Sequence, residues 1–428
     1  MLVKEKEKIE YRESSIENRV MTNRDIAVKI IRRLRRNGFE ALLAGGCVRD
    51  MLLRRPAKDY DVATDARPKD VIKLFRHTLK VGAKFGVVIV LLEGRQVEVA
   101  TFRTETGYTD GRHPTTVKFT SAAEDAARRD FTVNAMFYDP LKKEVIDYFD
   151  GRGDLKKKVI RTVGNPKERF GEDYLRMLRA VRFSTQLGFA IETKTFSAIC
   201  SGATNITKIS GERIAMELEA ILVNPNRSAG ISLLAESGLA DAILPDLGAE
   251  QIKLAVRVLG KLRKKVDFPL ALAGVLAGCE TDFALKKSTV LKLSRNQNRH
   301  IKFLLSNRGK LLNDKMSLAQ LKMIVAEPYF WDLYELQRAI QKATIVGRKG
   351  ITPLIKLRKR IKALGDIELR PKPLLNGYDL IRLGAVPGPT LGQLAQEMYI
   401  AQLEGQVQTK EQARLWAQKW LQKHKIEK

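Results

Sequence analysis

The chain has 428 residues, with 77 Lys and Arg against 49 Asp and Glu, a formal net charge of +28 and a sequence pI of about 10.0. No run of ~18 apolar residues occurs, which argues against a transmembrane helix, and the charged opening MLVKEKEKIEYRESS lacks the apolar core of a secretory signal. Cys47, Cys200 and Cys279 are too few and too scattered for a disulfide framework or a thiolate metal cluster, His77, His113, His300 and His424 show no ligand spacing, and a reducing, cytoplasmic setting is expected.

Residues 1–22 read as a flexible lead-in. IAVKIIRRLRR (26–36) has the apolar spacing of an amphipathic helix. GFEALLAGG then reads as a short strand ending in glycines, CVRDMLLRR as a helix, and KDYDVATDARP as a strand running into a Pro-marked turn. PKDVIKLFR is helical again. Two β-rich runs flank Glu93-Gly94 and predict a hairpin. From about residue 165 the pattern changes: YLRMLRAVRFSTQLGF, GERIAMELEAILV, AGISLLAESGLADAIL and QIKLAVRVLGKLRKK repeat apolar residues every three or four positions. Breaks fall at Asn224-Pro225, Leu244-Pro245, 350–353 and 370–373. The expected fold is an α+β head, a small sheet with helices, followed by an all-α neck, body and tail. The expected divisions are 23–160, 161–225, 226–350 and 351–428.

The positive excess favours a polyanionic partner, most simply nucleic acid. It is uneven, since residues 251–310 carry 14 Lys and Arg against three acids, Asp267, Glu280 and Asp282. Against that background, DYDVAT (59–64) places two acids one residue apart. On a strand, residues i and i+2 face the same side, so Asp59 and Asp61 would project together and repel unless a cation lies between them. Such a pair suits phosphoryl transfer at two metal ions, although a lone Asp-x-Asp is also common in surface turns. Upstream, Gly45-Gly46 follows an apolar strand and precedes a helix, a turn where backbone N–H groups can approach phosphate. Arg49 in the next turn can pair with a phosphate oxygen. Neither a P-loop nor a dinucleotide fingerprint is present. In QVEVATF, alternation puts Glu98 opposite Val97 and Val99, on the wet face of the sheet. Glu98 is equally readable as a third acid of the cluster or as a solvent-facing strand residue.

LLAGGCVRDMLLRRPAKDYDVATDARP, RRDFTVNAMFYD (128–139) and RFGEDYLRMLRAVRF (169–183) together resemble the motifs of the class II tRNA nucleotidyltransferases, or CCA-adding enzymes, and the related bacterial poly(A) polymerases. The resemblance is dense over residues 22–225, weaker through the middle, and returns faintly in NGYDLIRLGAVPGPTLGQL. It implies an enzyme that extends RNA 3′ ends without a nucleic-acid template, using CTP and ATP. Asp59 and Asp61 would hold two Mg²⁺ ions, and Glu98 would complete the cluster or orient the attacking hydroxyl. Gly45, Gly46 and Arg49 would hold phosphates, with Asp50 in a structural role, orienting Arg49 or a backbone turn. Arg129, Asp130 and Asn134 would meet the ribose and triphosphate.

The resemblance further implies that Asp173 and Arg176, i and i+3 on a helix, act as a protein template. Cytosine and adenine both present an amine beside an acceptor nitrogen, whereas uracil and guanine present a carbonyl beside an N–H. Asp173 would accept from the amine and Arg176 donate to the ring nitrogen, so U and G would leave groups unpaired. Glu172 would anchor this geometry, Arg179 and Arg182 would reach the triphosphate or tune the pocket, and Arg213 with Glu217 would brace the neck helices. The basic helices beyond 250 would hold the tRNA acceptor stem by phosphate contacts. The alternatives are poly(A) addition, A-only addition to tRNA, and a catalytically silent RNA-binding protein. Ala83-Lys84-Phe85-Gly86 after Gly82 departs from the polymerase pattern, and residues 100–119 resemble the flexible loop of C- and A-adding enzymes. Both favour tRNA.

Overall fold

The computed structural model describes residues 21–80, 82–108, 114–345 and 348–425. Contacts divide the chain into two compact units, one ending at Asp246 and one beginning at Leu247.

The first unit opens with α1 (Asn23–Arg36), whose N-terminus is closed by a reciprocal bond pair between Thr22 and Asp25 and whose Ile26, Ile30, Ile31 and Leu34 are buried. The strands follow as β1 (Ala41–Ala44), β2 (Asp61–Thr64), β3 (Thr78–Leu79), β4 (Val87–Leu92), β5 (Arg95–Thr101), β6 (Arg103–Tyr108), β7 (Pro114–Phe119), β8 (Phe137–Asp139) and β9 (Glu144–Ile146). Seven of them form one sheet in the order β3-β4-β5-β2-β1-β8-β9. β2 and β5 run parallel, and the other pairings in that sheet are antiparallel. The expected hairpin is β4–β5, with Leu92 opposite Arg95. Its two-residue loop has φ of 50° at Glu93 and 73° at Gly94, the left-handed pair that tight hairpins favour. β6 and β7 form a separate hairpin. The tip of the expected flexible loop, 109–113, lies outside the described residues.

Helices α2 (Gly46–Leu52), α3 (Pro68–Leu74), α4 (Ala122–Ala127) and α5 (Gly151–Lys157) connect these strands. A two-stranded ribbon, Val159–Ile160 with Ala190–Ile191, interrupts the helical continuation. That continuation comprises α6 (Pro166–Glu172), α7 (Leu175–Leu187), α8 (Thr193–Gly202), α9 (Gly211–Leu222), α10 (Arg227–Glu236) and α11 (Leu239–Ile243). One face of α7 is buried through Leu175, Leu178 and Val181, the stripe expected from its spacing.

Among its described residues the second unit is wholly helical, from Ala249–Lys261 to Lys410–Lys425. The helix Phe268–Val275 is buried along its whole length, as an apolar helix without a polar face must be. Two longer-range ties hold the unit. Lys322 Nζ donates to the Leu403 carbonyl at 2.7 Å, and Glu404 Oε1 accepts from Ala319 N at 2.7 Å. Each charge therefore sits on the helix end whose dipole it complements. The second tie is His300, buried and stacked on Tyr329 at 4.0 Å between ring centroids. Its Nδ1 lies 3.5 Å from Asp267 and its Nε2 lies 3.3 Å from Asp332. Its opposite edges face different carboxylates, and Arg263 pairs with Asp332 at 2.5 Å. Chain spacing concealed this grouping because its members come from three helical segments. No described helix is long and apolar enough to cross a membrane.

Candidate active site

The pairing of β2 with β5 builds one wall. Val62 lies opposite Val99 and Ala63 opposite Ala100, and both valines are buried. The preceding residues, Asp61 and Glu98, therefore project together from the other face of adjacent parallel strands. Strand spacing of roughly 4.8 Å brings their carboxylates close. Asp61 keeps an open side to solvent while the surrounding walls strip water from the rest. That burial, then the charges of Glu98 and Asp59, push its carboxyl up to about 6, with Arg129 pulling the other way. Behind it the Cys47 thiol is pushed up to about 11 by burial and by Asp61, so it is a packing group rather than a nucleophile.

Asp59 differs from the expectation. β2 begins at Asp61, and Asp59 lies in the irregular segment before it. Pro56 precedes this stretch and no strand partner reaches Asp59, so strand alternation does not set its direction. Its charge still reaches Asp61.

Gly45 links β1 to α2 at φ 72°. The positive φ requires glycine, and a Cβ there would come within 2.8 Å of Arg129 Nη1 and displace that guanidinium. Arg49 on α2 donates to Asp50 Oδ1 at 2.9 Å and to Asn134 Oδ1 at 2.7 Å. Asp50 is thus the orienting partner expected for it. Asn134 in turn donates to Asp130 Oδ1 at 3.3 Å. Asp130 Oδ2 accepts from Arg179 Nε at 2.8 Å and Nη2 at 2.5 Å. Burial alone would raise the Asp130 carboxyl, but Arg179, Arg176 and Asn134 hold it below the ordinary carboxylate value. Asp125 behaves likewise, because the guanidinium groups of Arg129 and Arg128 both bind it. Arg129 also donates to the Asn134 carbonyl at 3.3 Å.

Asp173 and Arg176, the pair expected to read the base, depart from one helical face. The helix breaks between α6 and α7, and Asp173 stands in the break with φ −149° and ψ 105°. Its Oδ1 accepts from Leu175 N at 3.0 Å, which caps the start of α7, and its Oδ2 accepts from Arg213 Nη2 at 2.7 Å. Arg176 pairs with Glu172 rather than Asp173, and donates to the carbonyls of Arg169 at 3.1 Å and Arg128 at 3.3 Å. Glu172 also binds Arg169 at 2.8 Å, consistent with its expected anchoring position. Arg213 reaches Asp173 on another element instead of Glu217 on its own helix.

These groups open on a single cleft of about 560 Å³, lined by Gly45, Gly46, Arg49, Asp61, Glu98, Arg129, Asp130, Asn134, Asp173, Arg176 and Arg179. Two expected residues are not in its lining, Asp59 and Arg182. Arg182 turns to Glu217, with Nε 3.2 Å from Oε2. Burial raises the Glu217 carboxyl, opposed by Arg182 and Arg179. Its lining also includes Arg103, Arg128, Phe183 and Arg213. Arg128 stands beside Arg129 in RRDF and could have been read with it. Arg213 was expected only as a brace for the neck, and Arg103 carries no local signal, because chain folding alone brings them to the cleft.

Comparisons with known proteins bear on the family and the fold. The family profile described as Poly A polymerase head domain matches residues 41–161, and that described as Probable RNA and SrmB- binding site of polymerase A matches 188–250. The CCA-adding enzyme of Enterococcus faecalis is 37% identical over 409 residues, spanning 91% of this chain and 94% of the relative. The chain belongs to the CCA-adding enzyme family. It is accordingly a nucleotidyltransferase. The Geobacillus stearothermophilus CCA-adding enzyme is 35% identical over 406 residues, covering 92% of this chain and 96% of that one. A crystal structure of the Bacillus stearothermophilus CCA-adding enzyme in complex with CTP superposes with a TM-score of 0.79 at 32% identity, covering 96% of this chain and all of that one. The head sheet and the helical continuation are therefore the family's architecture. A Thermotoga maritima CCA-adding enzyme complexed with tRNA shares the fold, with a TM-score of 0.65 at 21% identity over 96% of this chain and 98% of that one.

Proposed function

We propose that this protein transfers C and A from CTP and ATP to the 3′ end of tRNA, building or repairing the CCA terminus and releasing pyrophosphate. The observation that carries this reading is similarity to CCA-adding enzymes along nearly the whole chain, joined to a single cleft that holds both an acidic wall and an Asp/Arg reading edge.

The acidic wall fits divalent cations. Burial, and then the charges of Glu98 and Asp59, raise the Asp61 carboxyl, and a cation would relieve both the lost hydration and the repulsion with the oxygen donors Mg²⁺ prefers. Asp59 and Asp61 are the proposed holders, with Glu98 as a third acid or as the group that orients the hydroxyl. When bound, two Mg²⁺ ions would activate the RNA 3′-hydroxyl and steady the departing pyrophosphate. The chain's own groups do the rest. Arg49, Arg129 and Arg179 present guanidinium forks to the triphosphate. Gly45 and Gly46 keep the turn bare so that phosphate can approach. Asp130 and Asn134 hold those arginines and offer polar atoms to the ribose.

Asp173 and Arg176 select the base. A carboxylate has about four acceptor positions, so the bonds to Leu175 N and Arg213 leave Asp173 able to accept from an exocyclic amine. Arg176 has five N–H groups and can donate to the neighbouring ring nitrogen. Residues 23–160 would act as the catalytic head and 161–225 as the neck that carries the reading edge. Residues 226–350 and 351–428 would act as body and tail holding tRNA by phosphate contacts, with the cytoplasm as the compartment.

The deciding experiment offers CTP, ATP or both together to tRNAs lacking CCA, CA or only the final A, beside an unstructured RNA with ATP. Addition stopping at CCA on all three tRNAs is expected. Long A tails on the unstructured RNA would favour poly(A) polymerase, and activity confined to the tRNA lacking its last A would favour an A-only enzyme.

A further inference from the structure

Phe183 has no role in the site as proposed, yet three guanidinium groups converge on it. The carbon of the Arg182 guanidinium lies 4.3 Å from the ring centroid, that of Arg49 5.3 Å and that of Arg179 5.4 Å. The ring is nearly buried and lines the cleft, and it packs edge-on against Phe131 with centroids 5.7 Å apart. Three like charges around one ring would repel each other and drift apart in water. Here each is tethered by an acid: Arg49 by Asp50 at 2.8 Å, Arg179 by Asp130 at 2.5 Å and more loosely by Glu217 at 3.9 Å, and Arg182 by Glu217 at 3.2 Å. All three meet the same aromatic ring, whose quadrupole attracts cations.

Two of the three, Arg49 and Arg179, line the cleft. They come from different elements, α2 and α7, so no shared backbone sets their spacing. The Phe183 ring meets both. We infer that Phe183 is a positioning residue, the aromatic post that holds Arg49 and Arg179 at the separation needed to grip a triphosphate. Arg182, outside the cleft and held by Glu217, packs against the same ring and fixes its place. This inference rests on the reading of Arg49 and Arg179 as triphosphate ligands. It extends that reading to a residue with no polar atom of its own.

The test compares Phe183→Leu with Phe183→Tyr. The first keeps an apolar side chain and removes the π face, and the second keeps the face. The readouts are KM and kcat for CTP and ATP, and inhibition by inorganic tripolyphosphate, which has the phosphates and no base. Cation–π attraction of the usual size predicts on the order of a tenfold weakening of CTP, ATP and tripolyphosphate alike in Phe183→Leu. Selection of C and A over U and G should not change, and Phe183→Tyr should restore binding. A double-mutant cycle with Arg49→Gln guards against general loosening of the fold. Phe183→Leu should cost clearly less once Arg49 is gone, whereas additive losses would overturn the inference. Unchanged tripolyphosphate inhibition in Phe183→Leu would also overturn it, provided Arg49→Gln and Arg179→Gln weaken that inhibition. If those arginine variants leave it unchanged, the triphosphate reading itself fails, and the inference with it.

Discussion

The two walls of the cleft treat their acids in opposite ways. On the sheet, Asp61 is stripped of much of its water and faces the same space as Glu98 with Asp59 nearby, and burial first, then these charges, raise its carboxyl to about 6. On the helical side, Asp125 and Asp130 are each gripped by arginines and pushed below the ordinary carboxylate value. The difference separates two kinds of acid. In the proposed function, acids crowded against other acids would take up divalent cations, and acids saturated by arginine would set the direction of the guanidinium groups that meet the triphosphate. A net charge of +28 says nothing about this division, which depends on a few ångströms of local geometry.

Removing the crowded wall should have the largest effect. Asp61→Ala should cut nucleotide incorporation on the order of a thousandfold or more, since several kcal/mol of transition-state stabilisation are lost, while tRNA binding measured by gel shift stays close to the parent. Normal turnover would remove the acidic wall from the chemistry. Next comes the reading edge. Arg176→Ala should erode discrimination of CTP and ATP against UTP and GTP by on the order of a hundredfold, because unpaired polar groups on the wrong base no longer count against it. Single-turnover assays with all four nucleotides would measure it, and unchanged selectivity would exclude a protein template at this position.

Breaking an arginine-saturated acid should show in stability before chemistry. Asp130→Ala leaves the Arg179 guanidinium without its main partner and should cost about 3 kcal/mol in denaturant unfolding. The smallest effect is a pH signature that separates the walls. The folded-state value for Asp61 lies above its unfolded value of 3.8, so the folded state binds the proton more tightly. Ionised Asp61 therefore detracts from stability above pH 6, and that burden disappears as pH falls from 6 towards 4. Asp61→Asn should be more stable than the parent at pH 7 without divalent cations, with the gap closing towards pH 4. Asp130, lowered in the folded state, behaves in the reverse sense: its contribution is present at pH 7 and is lost as pH falls below the ordinary carboxylate value. Equal pH profiles for Asp61→Asn and Asp130→Asn would dissolve the contrast between the walls.

Much of this was legible along the chain because it is local. Alternation in QVEVATF places Glu98 opposite two buried valines. Three- and four-residue spacing marks the helices of the second half, and the Glu93-Gly94 turn marks the hairpin. Local patterns failed where the backbone changed direction. Asp59 precedes its strand, and Asp173 stands between two helices, so the periodicities that paired each with a neighbour did not apply.

The sequence by itself determined the element types, the family and most of the charged and polar residues that line the cleft, since those depend on side-chain period and motif. Only the tertiary structure decided who pairs with whom. Arg179 reaches Asp130 across 49 residues, Arg213 reaches Asp173 across 40, and Arg49 reaches Asn134 across 85. Charge attraction and cation–π contact act through space and fall off within a few ångströms. No spacing along the chain could therefore have shown that one phenylalanine would gather three arginines.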